Sequence, residues 1–263
     1  MNFDELFLQE KKIIYNDNCI NDIKEFYNLY CQRPINDNHG GMKSPHLFNT
    51  WYVLKQKKPK MVIESGVWKG LGTWIIEKAL PECRIISIDI NYSNLIYKSE
   101  KVIYLNKDLK SNDWKQIFHE FGVKPSETLV FLDDHQDFLD RLEFIYNLGI
   151  KDIIYEDNYP TSRGDCVSPK KIISCQDYII EKNGNKILNR YSYELLDKFY
   201  NFVKHYQELP PIFKTKNTRW GDEWNDANYT TPPAILNRQY QEKYPIFFEE
   251  ANSYTWICYI YLG

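Results

Sequence analysis

No apolar run among the 263 residues approaches the length needed to cross a bilayer. The opening stretch, "MNFDELFLQEKK", is acidic and broken by charge, so it lacks the basic and then apolar order of a secretory signal. Both absences predict a cytoplasmic location and no membrane partner. A surplus of positive charge is missing as well. At a net charge of -3 the chain cannot bind nucleic acid in the general way, by neutralising phosphates with clustered Lys and Arg. Its one basic run, "KQKKPK" at Lys55 to Lys60, reads as a solvated helix end leading into a strand. The six cysteines (Cys19, Cys31, Cys83, Cys166, Cys175 and Cys258) form no C-x-x-C pair, which argues against a zinc site and for free thiols in a reducing compartment. There is no internal repeat and no low-complexity linker.

What is present is enough apolar material for one sizeable core, with 43% hydrophobic and 16% aromatic residues. Apolar positions at helical spacing between Asp4 and Tyr30 predict a helical N-terminal extension, and a second helix is expected over His46 to Gln56, before Pro59. From there short apolar runs alternate with helical patterns. Strands are expected at "KMVIES", "RIISIDI", "KVIYL", "TLVFLD" and "KDIIYED", with helices at Thr73 to Leu80, Asp113 to Phe121 and Gln136 to Leu148. That alternation predicts an α/β fold with a mostly parallel sheet covered on both faces. A longer helix over Ser192 to Tyr206 and strands at "PPIFKTK" and "SYTWICYIYL" complete the reading, the last of these as the antiparallel C-terminal strand. A single domain is expected, made of an extension and loop (1–58), an α/β core (59–216) and an aromatic-rich insertion with the last strand (217–263).

The stretch Val62 to Trp74, "VIESGVWKGLGTW", places Gly66, Gly70 and Gly72 between a strand and a helix. This is the first unit of a nucleotide-binding sheet. The spacing is neither G-x-G-x-x-G nor G-x-x-x-x-G-K-[ST], so a phosphate loop is not indicated. Glu64 closes the strand two residues before the first glycine. A carboxylate there repels a pyrophosphate, whereas it attracts the cationic amino group and sulfonium of S-adenosylmethionine. Asp89 ends the next strand 23 residues beyond Gly66 and can accept from ribose hydroxyls. Asp108, in "YLNKDL", is open to two readings, an adenine contact or a helix cap. Trp68, Gly70 and Thr73, in the turn and first helical turn, complete the candidate cofactor contacts.

These residues carry a resemblance. E-x-G-x-x-x-G followed by an acid closing the next strand is similar to the first two motifs of Rossmann-like, class I S-adenosylmethionine-dependent methyltransferases. "FLDDHQ" at Phe131 to Gln136 and "YEDN" at Tyr155 to Asn158 resemble the metal-binding strand ends of the catechol O-methyltransferase-like branch. Within it they most resemble the cephalosporin hydroxylase and rhamnosyl O-methyltransferase-like group and the macrolide-sugar O-methyltransferases, over Asn38 to Pro169. The resemblance implies a loop closing over the cofactor at His39 to Met42, with Gly41 and Met42 in contact.

The acids at the fourth and fifth strand ends, Asp133, Glu156 and Asp157, should converge beside the cofactor. Carboxylates so placed repel one another unless protonated or bridged, and hard oxygen donors suit Mg²⁺, Mn²⁺ or Ca²⁺. His135 is the candidate base that would deprotonate an acceptor hydroxyl, with Asp134 as a possible sharer of that role. Asp133 and Asp134 are consecutive, a departure from the family pattern that leaves open which of them binds metal. The resemblance implies an O-methyltransferase acting on a sugar hydroxyl, such as that of rhamnose on a glycan, and Trp220 and Trp224 are candidates to stack on the ring or simply to pack the insertion. A catechol-like or polyketide acceptor is the alternative within enzymes. From another class comes a non-catalytic cofactor-binding partner in a glycan-processing assembly, against which the joint presence of Glu64, Gly66, Asp89 and the acid cluster argues. A hydroxylase would need redox-metal ligands that the sequence does not offer.

Overall fold

A computed structural model describes residues 9–16 and 19–263. The strands are β1 (Met61–Ser65), β2 (Arg84–Ile88), β3 (Val102–Leu105), β4 (Thr128–Leu132), β5 (Asp152–Tyr155), β6 (Tyr178–Lys182), β7 (Asn185–Asn189), β8 (Val203–Glu208) and β9 (Cys258–Leu262). The helices are α1 (Cys19–Tyr30), α2 (Ser44–Lys57), α3 (Leu71–Ala79), α4 (Trp114–Phe121), α5 (Phe138–Asn147), α6 (Pro169–Ile173), α7 (Tyr193–Phe202) and α8 (Pro245–Glu249).

Seven strands form one sheet in the order β3-β2-β1-β4-β5-β9-β8. The first five are parallel, and β9 runs antiparallel to both its neighbours. This is the mostly parallel α/β sheet anticipated above, antiparallel C-terminal strand included. Both faces are covered, so alternate residues of each strand enter opposite cores. Val62, Leu129, Phe131, Ile154 and Tyr259 pack with α1, α2, α3 and α8, while Ile63, Val130, Leu132, Ile153 and Ile260 pack with α4, α5 and α7. The chain reverses its winding direction between β1 and β4. A crevice therefore opens at their carboxyl ends, where α/β sheets bind ligands.

Several expectations need correction. Asp4 and Phe7 lie outside the described residues, and residues 12–16 form no regular element, so the described extension helix starts at Cys19. The helix expected through Tyr206 stops at Phe202, where the chain turns into β8. The Val203, His205 and Tyr206 side chains are buried as β8 pairs with β9, and that pairing outweighs local helical pattern. "PPIFKTK" forms no strand, and two adjacent prolines can donate no ladder hydrogen bonds. The β6/β7 hairpin was not anticipated, although Asn183 and Gly184, both at positive φ (50° and 77°), make the two-residue turn that "NG" signals.

The basic run has internal partners. Lys55 pairs with Glu25, Lys60 with Glu127, and Lys57 donates to the Lys11 carbonyl. The insertion joins the N-terminal helices through Glu250, which accepts from Tyr30 Oη and the Ser44 amide, both at 2.9 Å. Among the described residues no helix is long and apolar enough to cross a membrane.

Candidate functional site

The parallel register sets the strand ends level. Ser65 lies beside Ile88 and Leu132, and Leu132 beside Tyr155. The amides of Gly66, Asp133 and Glu156 continue the ladders to Ile88, Ser65 and Leu132. Hence the glycine turn, Asp89, Asp133 and Glu156 share one end of the sheet, and Gly66, Asp89 and Asp133 line a cleft of about 400 Å³ there.

The glycines serve protein packing first. Gly66 has φ 92°, and a Cβ there would sit 1.9 Å from the Asp133 carbonyl oxygen. Gly70, at φ 91°, would meet the Tyr97 carbonyl at 2.4 Å and does not line the cleft. Their lack of a side chain lets β1 approach β4 and lets the turn pack on the 92–97 loop. Gly72 is different, because a Cβ on it would lie 2.6 Å from Glu64 Oε1.

Glu64 is fully buried. Its Oε2 accepts from Thr73 Oγ1 and Ser87 Oγ, each at 2.5 Å, while Oε1 has no hydrogen-bond partner. Burial pushes its carboxyl up to about 7, against the pull of the two hydroxyls. Thr73 therefore acts through Glu64 and does not line the cleft. Beside Glu64 a small recess is lined by Asn38, Gly41, Met42 and Gly72, and the buried Asn38 Oδ1 likewise lacks a partner. Two unsatisfied acceptors in one recess suit a cationic donor such as an amino group.

Asp89 and Trp68 line the main cleft. Asp89 Oδ2 accepts from the Val67 amide at 2.9 Å and the Trp68 amide at 3.3 Å, so it also braces the turn. The loop at His39 to Met42 lies over Trp68, whose Nε1 donates to the His39 carbonyl at 3.1 Å. Asp108 is at the cleft's far end. It caps a short helical turn through the Lys110 amide and accepts two bonds from Arg141, at 3.0 and 2.7 Å, which hold its carboxyl below the ordinary range.

Arg141 also resolves the consecutive aspartates. Its guanidinium, only 3% exposed, reaches Asp134 Oδ2 through Nε at 3.0 Å, and Ser65 Oγ donates to the same oxygen at 2.7 Å. Asp134 thus has a buried cation for a partner. Asp133 points the other way. Its ligand oxygen, one from Asp157 and a ring nitrogen of His135 all lie within 4.8 Å of one another.

In this cluster burial, then Glu156 and Asp157, push the Asp133 carboxyl well above its usual range. Burial and the neighbouring Glu156 carboxylate push Asp157 up to about 8 despite the opposing pull of His135. Asp157 Oδ1 is buried without a hydrogen bond, and its Oδ2 accepts from the His135 amide at 2.9 Å. The hydrogen bond to Asp165, with Asp157 behind it, pushes His135 up to about 11, so the ring is charged in this arrangement. Asp157 Oδ1 lies 3.4 Å from His135 Nδ1 without a hydrogen bond to it, and a buried oxygen so placed among acids is the environment a hard dication satisfies.

Glu156 departs from its expected place as an equal third ligand. Its Oε1 is hydrogen-bonded to His46 Nδ1, and burial, which opposes ionisation, is outweighed by His46, His135 and Arg219, so the carboxyl is held below its ordinary range. The ring of His135 takes the third position in the cluster. Four contributors went unseen in the sequence. His46, Arg141 and Asp165 find their partners only in the fold, whereas Asn38 is close enough to the glycine turn's covering loop to have been a candidate.

The expected stacking pair divides. Trp224 is 4% exposed and donates through Nε1 to Thr231 Oγ1, as Trp256 also does, so its role is packing. Trp220 is half-buried, lies nearly parallel to Trp256 at 6.2 Å, and has Tyr159 at 6.5 Å on the acid side.

No protein-family model matches the sequence, and no curated protein matches it. Solved structures with a similar fold include an apo-structure of CmcI (18% identity, 48% of this chain and 57% of that chain, TM-score 0.36). Others are a SAH-bound Podospora anserina methyltransferase, PaMTH1 (12%, 56% and 72%, TM-score 0.36), and an O-methyltransferase from Bacillus cereus in complex with SAH (12%, 95% and 93%, TM-score 0.44). The match spans a little over half the length of CmcI. Likenesses at this level bear on nothing beyond the fold, which the sheet order establishes by itself.

Proposed function

We propose that the protein is an S-adenosylmethionine-dependent O-methyltransferase, assisted by a divalent cation and acting on a sugar hydroxyl. The observation that carries this reading is a pair of buried carboxylate oxygens without hydrogen bonds, Glu64 Oε1 at the glycine turn and Asp157 Oδ1 in the acid cluster, the latter with the His135 ring nitrogen 3.4 Å away. The first suits a cationic amino group, the second a hard metal ion. Bound together, the cofactor would supply an electrophilic methyl group and the cation would acidify the acceptor hydroxyl.

The chain's own residues would do the rest. Glu64 and Asn38 would receive the amino group, and the open sides of Asp89 and Trp68 would border the nucleoside. Asp133 and Asp157 would hold the cation, with Glu156 kept charged beside them by His46. His135 would take the acceptor proton. As it stands that ring already carries one, so His135 becomes a competent base only when the carboxylate field around it is neutralised. The sugar acceptor is supported by the half-buried Trp220, part of an aromatic group with Tyr159, Tyr229 and Trp256 of the kind that packs on a sugar ring.

The test is incubation with labelled S-adenosylmethionine and rhamnose-, fucose- and catechol-containing acceptors, with and without Mg²⁺ or Mn²⁺. Methyl transfer to a sugar that chelator abolishes is expected. Transfer only to catechols would remove the sugar, and undiminished transfer in excess chelator would remove the cation.

A further inference from the structure

The loop after β5 carries an acid that the proposed chemistry leaves unused. Asp165 lies 30 residues beyond His135, yet its two carboxylate oxygens are 3.2 and 3.1 Å from His135 Nδ1. We infer that Asp165 is a positioning residue for His135, fixing the ring so that Nδ1 is occupied and Nε2 faces the cleft. This rests on the proposed role of His135 as the base.

Three features support it. First, His135 has a backbone conformation that needs external support. Its φ is 53°, a left-handed value that costs a residue with a side chain about 1 kcal/mol or more and that persists only where surroundings hold it. The amide bond to Asp157 and the ring bond to Asp165 supply that hold from opposite ends of the residue.

Second, the loop that presents Asp165 is itself built. Lys171, fully buried, donates from Nζ to the carbonyls on either side of Asp165, Gly164 at 3.3 Å and Cys166 at 2.8 Å. Gly164 has φ 85°, and a Cβ there would lie 2.2 Å from the Tyr159 ring, so the bend admits no side chain. The loop is also joined to the turn that bears His135, since the Val167 amide donates to Asp137 Oδ1 at 2.6 Å and the Phe138 amide to the Val167 carbonyl at 2.9 Å.

Third, the two ring nitrogens differ. Nδ1 faces Asp165 and Asp157, while Nε2 makes no hydrogen bond among the described residues, and the side chain is half-exposed along the cleft. A carboxylate on one imidazole nitrogen sets the tautomer and aims the other, as in hydrolytic triads and in the outer partners of metal-bound histidines. A surface ion pair would need neither a buried lysine nor a glycine bend behind it.

The experiment uses the full chain, Asp165→Ala and Asp165→Glu. Nitrogen-15 shifts of the His135 ring, read by long-range proton correlation, should show a protonated, hydrogen-bonded Nδ1 in the wild type that is displaced in Asp165→Ala and recovered in Asp165→Glu. On an acceptor that the wild type methylates, kcat should fall about 10- to 100-fold in Asp165→Ala with KM and S-adenosylhomocysteine affinity unchanged. Asp165→Glu should regain part of the loss. Ring shifts identical in the wild type and Asp165→Ala would overturn the inference, as would an unchanged kcat. A wild type that methylates no acceptor would sink the proposed function instead, while the ring shifts still decide whether Asp165 positions His135.

Discussion

The two halves of the rim treat their carboxylates in opposite ways. On the β1, β2 and β3 side each acid has been given partners: Glu64 has two hydroxyls, Asp89 has backbone amides, and Asp108 has Arg141. On the β4 and β5 side, Asp133 and Asp157 face each other and Glu156, and among the described residues histidines and the more distant Arg219 oppose their charge. The first half is finished except for one carboxylate oxygen, which shares its recess with the unpartnered Asn38 Oδ1, and that is what an organic ligand with a single cationic group requires. The second has too much negative charge in too dry a place, which a small dication would relieve. The halves meet where Gly66 packs against the Asp133 carbonyl, so a change in either is felt by the other.

The largest effect should come from the unfinished half. Asp157→Asn removes a buried charged donor, so divalent-ion affinity, measured by Mn²⁺ titration, should collapse. Methyl transfer should fall roughly 10²-fold or more, while S-adenosylhomocysteine still binds. Retained ion affinity would show that the carboxylates are balanced by protons alone. The same half gives a pH signature. Asp157 is pushed up to about 8 and Glu64 to about 7, both above the ordinary carboxylate range. With folded values raised, these two carboxyls contribute stability to the metal-free protein that is fully present below about pH 4 and is lost as the pH rises through those folded values. Its Tm should decline between about pH 4 and 8, and saturating Mg²⁺ should flatten the decline. A Tm that rises across that window would break the assignment.

Next in size is the connection between the halves. Arg141→Met leaves Asp134 buried without its cation and frees Asp108, at an expected cost of roughly 3 to 5 kcal/mol in urea unfolding. A loss below about 1 kcal/mol, the scale of an exposed pair, would mean that solvent already screens both acids.

Sequence patterns foretold the two halves unequally. The strands were legible because parallel strands buried on both faces read as short apolar runs, and an acid after such a run must emerge at the sheet's edge. Glu64, Asp89 and Asp133 were therefore placed correctly without any knowledge of contacts. What each acid would meet was not legible. Glu156 finds His46 from a separate helix, and Asp134 finds Arg141 one helical segment later, on a face that only packing against the sheet determines. Gly66 lines the cleft, but its packing partner was hidden for a related reason. A glycine signals close approach without saying by whom, and here the approaching group is the Asp133 carbonyl. The end of α7 was lost because β8 has its reason for being extended in β9, more than 50 residues away in the chain.

A smaller effect belongs to the finished half. Glu64→Gln keeps the shape and the bonds from Thr73 and Ser87 but removes the charge opposite the proposed amino group. Calorimetry should show S-adenosylmethionine binding weakened by about 1 to 3 kcal/mol, with NAD failing to bind either form. Equal affinity for the cofactor in both proteins would leave the orphaned Oε1 unexplained.

The smallest effect is expected where the two halves face the insertion. Trp220 and Trp224 are close in sequence but differ in surroundings, since Trp224 is enclosed and hydrogen-bonded to Thr231 while Trp220 is half-buried, with Trp256 and Tyr229 stacked at 6.2 and 6.4 Å and the Arg163 guanidinium 5.5 Å over its ring. Trp224→Leu should therefore lower stability and leave binding alone. Trp220→Leu should instead raise the acceptor KM a few-fold, an effect of about 1 kcal/mol, because a ring already packed against aromatic neighbours offers an acceptor only part of a full aromatic contact. Cofactor affinity should not move in either variant. If Trp220→Leu changes only stability, both tryptophans are packing residues, and the acceptor would have to be sought by the chemistry of its hydroxyl rather than by its fit to a flat aromatic face.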